Sequence, residues 1–256
     1  MPSSSKPKVL LFDIGGVCVV SPFQAILDYE KANNIPTGYI NFSISFSKPN
    51  GAWQKLERGE LPLDSNWFAA WKKDIQSPKS WEAYHKKKVD QSGYNALPPI
   101  PDVKVDDLYW TMMGISRQPD PHMAPALRKL KESGRWRLAA LSNTSIFPPG
   151  HPFNEPRPGD IKDVFDVFIS SAHVGMRKPD KIIYDFTMQK LREKWPEADI
   201  QPGDIVFFDD IGENLKMGKS VGWRTVKVWL GKTEDTVKEL EKITGEQLSG
   251  DARAKL

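Results

Sequence analysis

Residues 205–214 read IVFFDDIGEN. Ile205 to Phe208 form an apolar run as long as a buried strand, and two aspartates, Asp209 and Asp210, follow at once. The pattern recurs along the chain. Val9 to Phe12 leads into Asp13, and Leu138 to Leu141 leads into Ser142 and Asn143. Val167 to Ile169 is followed by a segment containing Lys178, and a fifth run covers Thr225 to Trp229. Helix-like stretches separate most of these runs: Ala124 to Glu132, Ile182 to Trp195, Asn214 to Val221 and Thr236 to Ile243. Strands alternating with helices imply a parallel sheet covered on both faces.

Residues 20–118 read differently, as helical patterns broken by loops. Ser21 followed by Pro22 is a helix start, a side-chain cap with proline at the first helical position. Trp53 to Leu56, Leu63 to Trp71 and Val105 to Met113 give further helices. Five of the nine tryptophans, at 53, 67, 71, 81 and 110, fall here and read as core, with room for one or two to line a pocket. The expected division is an α/β core from residues 1–19 and 119–256, with a helical domain of residues 20–118 inserted after the first strand. Two proline-rich segments, Ala96 to Asp102 and Phe147 to Gly159, read as loops, and the polar tail after Thr244 as frayed.

Composition narrows the function. The chain has 256 residues, and 36 Lys and Arg against 33 Asp and Glu leave a formal charge of +3. The lysine triplet at 86 to 88 reads as a solvated helix face, so no nucleic-acid partner is implied. One cysteine, Cys18, excludes a disulfide framework or a cysteine-built zinc site. No apolar run spans a membrane, and the stretch after the polar N-terminus is too short and too charged for a secretory signal, so the expected compartment is the reducing cytoplasm.

Ligands of open parallel sheets sit at the carboxyl ends of the strands, where Asp13, Ser142, Asn143, Asp209 and Asp210 fall. Each residue alone has an ordinary reading as a turn or cap. Adjacent carboxylates, however, repel unless a cation or separate hydrogen-bond partners hold them. Carboxylates from two strand ends suit Mg²⁺, a hard ion bound by oxygen. A hydroxyl, backbone N–H groups and a lysine suit phosphate oxygens, and a spare carboxylate oxygen suits in-line attack on phosphorus.

FDIGGV (12–17), ALSN (140–143), RKPD (177–180) and FFDDIGEN (207–214) resemble, in order, the four motifs of the haloacid dehalogenase (HAD) superfamily. The KPDxxIY run (178–184) and WQKLERGEL (53–61) are most similar to the subgroup containing the phosphatase-like N-terminal domain of soluble epoxide hydrolase. The resemblance implies a HAD-like Rossmannoid parallel sheet with a mobile helical (C1-type) cap. It also implies a Mg²⁺-dependent phosphatase acting on a small phosphorylated metabolite through an aspartyl-phosphate. Asp13 would be nucleophile and metal ligand, with Gly15 (by its carbonyl) and Asp210 completing the protein's metal ligands. Ser142 and Asn143 would bind the phosphoryl group, Lys178 would neutralise charge, and Asp209 and Asn214 would orient the site.

One departure matters. The family pattern places an aspartate two residues after the nucleophile as general acid and base, and here that residue is Gly15. Such catalysis is worth about 3 to 5 kcal/mol of barrier. Three readings follow: a phosphatase with another proton source, a metal- and phosphate-binding protein with little turnover, or a HAD enzyme of another reaction type. Metal-free dehalogenases fit least, since they need no acidic metal pair and their usual tyrosine near the nucleophile is absent. Some relatives with glycine at this place resemble active phosphatases. Cys18 reads as buried core, His151 as part of a solvent-facing loop rather than a substitute acid, and His173 as a local packing or capping residue. Arg177 reads either as phosphate support or as a surface charge. The aromatic residues of 20–118 suggest an apolar phosphate ester.

Overall fold

The protein is described by a computed structural model covering residues 6–89, 97–155 and 157–250. Strand β1 (Val9–Phe12) is followed by six helices: α1 (Pro22–Ala32), α2 (Tyr39–Phe46), α3 (Ala52–Glu57), α4 (Ser65–Ile75), α5 (Pro78–Val89) and α6 (Val105–Ile115). Next come α7 (Met123–Ser133), β2 (Arg137–Ser142), β3 (Val167–Ser170), α8 (Ser171–Val174) and α9 (Lys181–Lys194). The chain then forms β4 (Ile205–Asp209), α10 (Gly212–Ser220), β5 (Arg224–Lys227) and α11 (Thr233–Thr244).

The five strands are all parallel, in the order β3-β2-β1-β4-β5. Side chains alternate across each strand, and both faces are buried, which is why the strands read as unbroken apolar runs. Leu10, Phe12, Leu138, Ala140, Val206 and Phe208 pack on one face with Leu127 and Leu130 of α7 and Val237 and Leu240 of α11. Val9, Leu11, Ala139, Leu141, Ile205 and Phe207 pack on the other with Ile183 and Leu191 of α9 and Leu215 of α10. Connections leave β1 toward β2 and β3 on one side and reach β4 and β5 on the other. The β1/β4 boundary is therefore the crevice where open α/β sheets bind ligands.

The helical insertion has an apolar cluster of its own. Trp53, Trp67, Trp71 and Trp81 are buried in it with Tyr39, Tyr109 and Leu108. Ser21 caps α1 as expected, its Oγ accepting from the Phe23 N–H at 3.3 Å, and Asp64 caps α4 through the Trp67 N–H at 3.0 Å. Helix α2 has no counterpart in the sequence reading, and of α5 only the lysine triplet reads as helical. The first, YINFSISF, is rich in aromatic and β-branched residues and is held by burial of Tyr39, Ile40 and Ile44 rather than by propensity. Of the lysine triplet, Lys86 and Lys87 are exposed on α5. Ala96 and Pro156 of the proline-rich segments lie outside the described residues.

Three expectations are corrected. Strand β5 ends at Lys227, and Trp229, 63 % exposed, has left the sheet. His151 of the second proline-rich segment does not face solvent freely: it is half-buried and stacks on Trp110 of α6 at 4.5 Å, with Phe147 and Phe153 beside it. The tail is docked as far as it is described; residues 251–256 lie outside. Glu241 Oε1 accepts from the backbone N–H groups of Leu248 and Ser249, at 2.8 and 2.6 Å, and Leu248 is only 3 % exposed in the core. A short polar tail can dock because one acidic side chain on α11 satisfies its backbone donors. Leu248→Ala should therefore lower unfolding free energy by about 2 to 4 kcal/mol in urea titrations, where a frayed tail would give almost none.

Candidate active site

Strand register brings the acidic residues together. Phe12 pairs with Phe208, and the Asp13 N–H donates to the Phe208 carbonyl at 2.8 Å, so Asp13 and Asp209 leave adjacent strands side by side. One oxygen from each of Asp13, Asp209 and Asp210 lies within 4.8 Å of the other two. Gly16 makes this approach possible. Its φ is +75°, and a Cβ there would stand 2.8 Å from both Asp210 Oδ2 and Leu230 Cδ2.

Lys178 enters from the turn before α9 and is 1 % exposed. Its Nζ lies 2.9 Å from Asp13 Oδ1 and 2.7 Å from Asp209 Oδ2. Burial alone would push this ammonium down, but the two carboxylates hold it above the ordinary lysine value. Its main chain is fixed by Asn143, whose Oδ1 accepts from the Lys178 N–H at 2.8 Å and whose Nδ2 donates to the Lys178 carbonyl at 3.0 Å. The Asn143 side chain is thus engaged by the lysine's backbone.

The three aspartates are not equivalent. Asp209 is fully engaged: beyond Lys178, its Oδ1 accepts from the Ile211 N–H at 2.7 Å, and Asn214 Nδ2 lies 3.0 Å from both of its oxygens. Asp13 Oδ1 accepts from the Ile14 N–H at 2.7 Å as well as from Lys178, so Oδ2 is the oxygen outside these bonds. Asp210 Oδ1 is buried without a hydrogen-bond partner. Such an atom carries a desolvation penalty, and a hard cation would relieve it. Fully ionised, the three carboxylates and Lys178 sum to two negative charges, the complement of a divalent ion. The donor set therefore fits Mg²⁺.

Electrostatics agree with that fit. Burial, reinforced by Asp209 and opposed by Lys178, pushes the Asp13 carboxyl up to about 6. Burial, then Asp13 and Asp209, push Asp210 up to about 7 against the pull of Lys178 and Lys227. Perturbations of this kind cluster at functional sites.

Ser142 is buried at the end of β2, beside Ser170 of β3. Gly15 lies in the turn after Asp13. Cys18 is buried and donates its thiol to the Asp13 carbonyl at 3.1 Å, in keeping with a packing role. His173 bonds Ser170 Oγ at 2.7 Å, a local contact as expected. Arg177 is not a surface charge: it is buried, and its Nε pairs with Glu57 of α3. The sequence reading missed Lys227, which pairs with Asp209 across β4 and β5 and donates from Nζ to the Asp210 carbonyl. It lies inside an apolar run, and only strand register reveals which acid it meets.

Comparison with known proteins agrees with this fold. The haloacid dehalogenase-like hydrolase family model matches residues 7–222, and the chain belongs to that family. It is 29 % identical over 238 residues to mouse "Acyl-CoA dehydrogenase family member 10", covering 93 % of this chain and 19 % of that protein. It is 25 % identical over 241 residues to rat "Bifunctional epoxide hydrolase 2", covering 94 % of this chain and 39 % of that one. The chain thus spans well under half the length of these relatives. With the "Sesquiterpene phosphatase astK" of Aspergillus oryzae it shares 28 % identity over 239 residues, 93 % of this chain and 97 % of that one. Among solved structures, a predicted HAD-like family hydrolase of Porphyromonas gingivalis superposes with a TM-score of 0.56 at 17 % identity, covering 95 % of this chain and 100 % of that one. A HAD family enzyme of Bacteroides thetaiotaomicron, in complex with magnesium and inorganic phosphate, gives 0.51 at 19 % identity over 88 % and 96 % of the two chains. At these identities the superpositions speak to the fold. Among the described residues no helix is long and apolar enough to cross a membrane.

The raised carboxyls give a pH signature. In the unfolded chain both aspartates ionise near 4, whereas the folded, metal-free site keeps its protons to about 6 and about 7. The folded state binds more protons across this window, so its stability falls as pH rises from about 4 to 7 and stays reduced above it. A cation bound to the ionised carboxylates offsets that loss. The melting-temperature gain from Mg²⁺ should accordingly be larger at pH 8 than at pH 5.5 and should vanish in Asp210→Ala; equal gains at both pH values would refute the assignment.

Proposed function

We propose that the protein is a Mg²⁺-dependent phosphatase that cleaves a small phosphomonoester through an aspartyl-phosphate on Asp13. The observation that supports this best is the pairing of a buried lysine, gripping the Asp13 and Asp209 carboxylates, with a buried, unpartnered oxygen on Asp210. In this reading residues 20–118 form a cap over a core of residues 1–19 and 119–256. The relative named as a sesquiterpene phosphatase, matched over nearly its whole length, is in keeping with it.

Asp13, Asp210 and the Gly15 carbonyl would hold Mg²⁺, which when bound supplies positive charge to the phosphoryl oxygens. Asp13 Oδ2 attacks phosphorus, the P–O bond to the leaving group breaks, and the leaving oxygen takes its proton from water or substrate, since Gly15 offers none. Water then attacks the aspartyl-phosphate, releasing inorganic phosphate and restoring the Asp13 carboxylate. Lys178 offsets charge on nucleophile and phosphate throughout, and the Ser142 hydroxyl binds a phosphoryl oxygen. Asn143 contributes by holding the Lys178 backbone, and Asp209 and Asn214 keep the ammonium oriented. A single buried thiol suits a reducing, cytoplasmic setting.

An apolar leaving group remains attractive, but on different residues from those the sequence suggested. The insertion's tryptophans at 53, 67, 71 and 81 are core. Leu230, which stands over Gly16, and Trp229 beside it are 51 % and 63 % exposed and flank the acidic cluster.

Gly15 favours one rival reading, a binding protein with little turnover. A Cβ at this position would meet only Pro22, at an ordinary contact distance of 3.4 Å, so the backbone here admits a side chain. With an aryl phosphate and Mg²⁺, the wild type should release phosphate, and Asp13→Asn should lose about 10³-fold or more. Gly15→Asp should gain about 10²-fold on esters with poor leaving groups and much less on aryl phosphates. Binding of Mg²⁺ and inorganic phosphate with no turnover across a broad ester panel would favour the binding protein.

A further inference from the structure

The run WQKLERGEL (53–61) takes no part in the chemistry above, yet it makes the most intimate contact between insertion and sheet. Glu57, the last residue of α3, places Oε2 2.7 Å from Arg177 Nε, with only 13 % and 11 % of the two side chains exposed. Its Oε1 accepts from Trp53 Nε1 at 3.0 Å, and its main-chain carbonyl accepts from Ser171 Oγ at 2.6 Å. Two residues on, Gly59 has a φ of +66°, and a Cβ there would stand 2.4 Å from the Ala172 carbonyl oxygen. Only glycine lets the two backbones approach so closely. Two other contacts lie along the seam: Lys48 with Glu213 at 2.6 Å, both partly exposed, and the buried Tyr109 Oη with Ser145 Oγ at 2.6 Å.

Arg177 immediately precedes Lys178, and its carbonyl accepts from the Asp180 N–H at 3.0 Å, closing the turn that carries the lysine. That turn is gripped from one side by Asn143 and from the other by Glu57. We propose that Glu57 is a positioning residue: through Arg177 it transmits the seating of the helical insertion to the ammonium of Lys178. Lys178 reaches the geometry between Asp13 and Asp209 when α3 is seated against α8, and loosens when it is not. A buried pair suits this task, because removing either partner strands a desolvated charge. The link to rate rests on the phosphatase reading; the link between α3 and the lysine turn does not.

The test has two arms. In hydrogen exchange by mass spectrometry, Glu57→Ala should raise exchange about tenfold or more in the lysine turn, residues 171–178, and leave β1 and β4 protected. Gly59→Ala, which keeps both charges but forces the backbones apart, should do the same. With aryl phosphate, both variants should lower kcat about 10- to 100-fold while moving KM far less, as expected when a group acting at the transition state is displaced by about 1 Å. Glu57→Gln, which keeps the shape and one acceptor, should recover part of the loss, and Glu57→Ala/Arg177→Ala should be no slower than the slower single variant. Unchanged exchange in residues 171–178 in both Glu57→Ala and Gly59→Ala overturns the proposal, as does raised exchange with unaltered kcat. Should the wild type release no phosphate, the proposed function fails on its own. Inorganic phosphate binding in Mg²⁺ then decides the positioning role, and undiminished affinity in Glu57→Ala overturns it.

Discussion

A lysine ammonium almost wholly withdrawn from water is expensive unless negative groups surround it, and Lys178 meets that demand with two carboxylates at 2.9 and 2.7 Å. Satisfying it fixes much else. Strands β1 and β4 must be neighbours in a register that sets Asp13 beside Asp209. The turn before α9 must bring the lysine across the sheet end, and Asn143 at the end of β2 must bind its backbone in both directions. Four separated parts of the chain thereby converge on one cation.

The same arrangement leaves the site short of positive charge. One ammonium cannot balance three acids, and burial pushes Asp13 and Asp210 toward protonation. Asp209 escapes the conflict because Lys178, Asn214 and the Ile211 N–H occupy its oxygens. Two neighbouring aspartates of identical chemistry are thus separated into a structural anchor and a carboxylate that keeps a buried oxygen without a partner.

Much of this architecture can be read from local pattern. Buried strands are continuous apolar runs, and polar residues at their ends mark the crevice, so the sheet and its cluster of acids were legible together with the helices that cover them. Roles were less legible. Asn143 reads as a phosphate ligand, and no local signal shows that its amide also holds the Lys178 backbone. Arg177 looks like a surface charge until Glu57, far away in sequence, is seen to meet it. Lys227 is hidden in a strand whose register no local signal reveals. Helix α2 depends on burial against propensity, and the tail docks through Leu248 in the core and the Glu241 carboxylate on α11. In each case a tertiary contact overrides what neighbouring residues suggest.

The placement of the helical insertion also bears on how the chain reaches its native state. Val9 pairs with both Arg137 and Ile205, so the central strand finds its partners only after long loops close, and such closures lose much chain entropy before any ladder compensates. The insertion has an apolar cluster of its own, and its first and last helices, α1 and α6, pack on each other. Once that pair forms, the two ends of the insertion are held together, which shortens the effective loop that β1 must span. The segment that interrupts the sheet in sequence thus acts as the spacer that lets the sheet close.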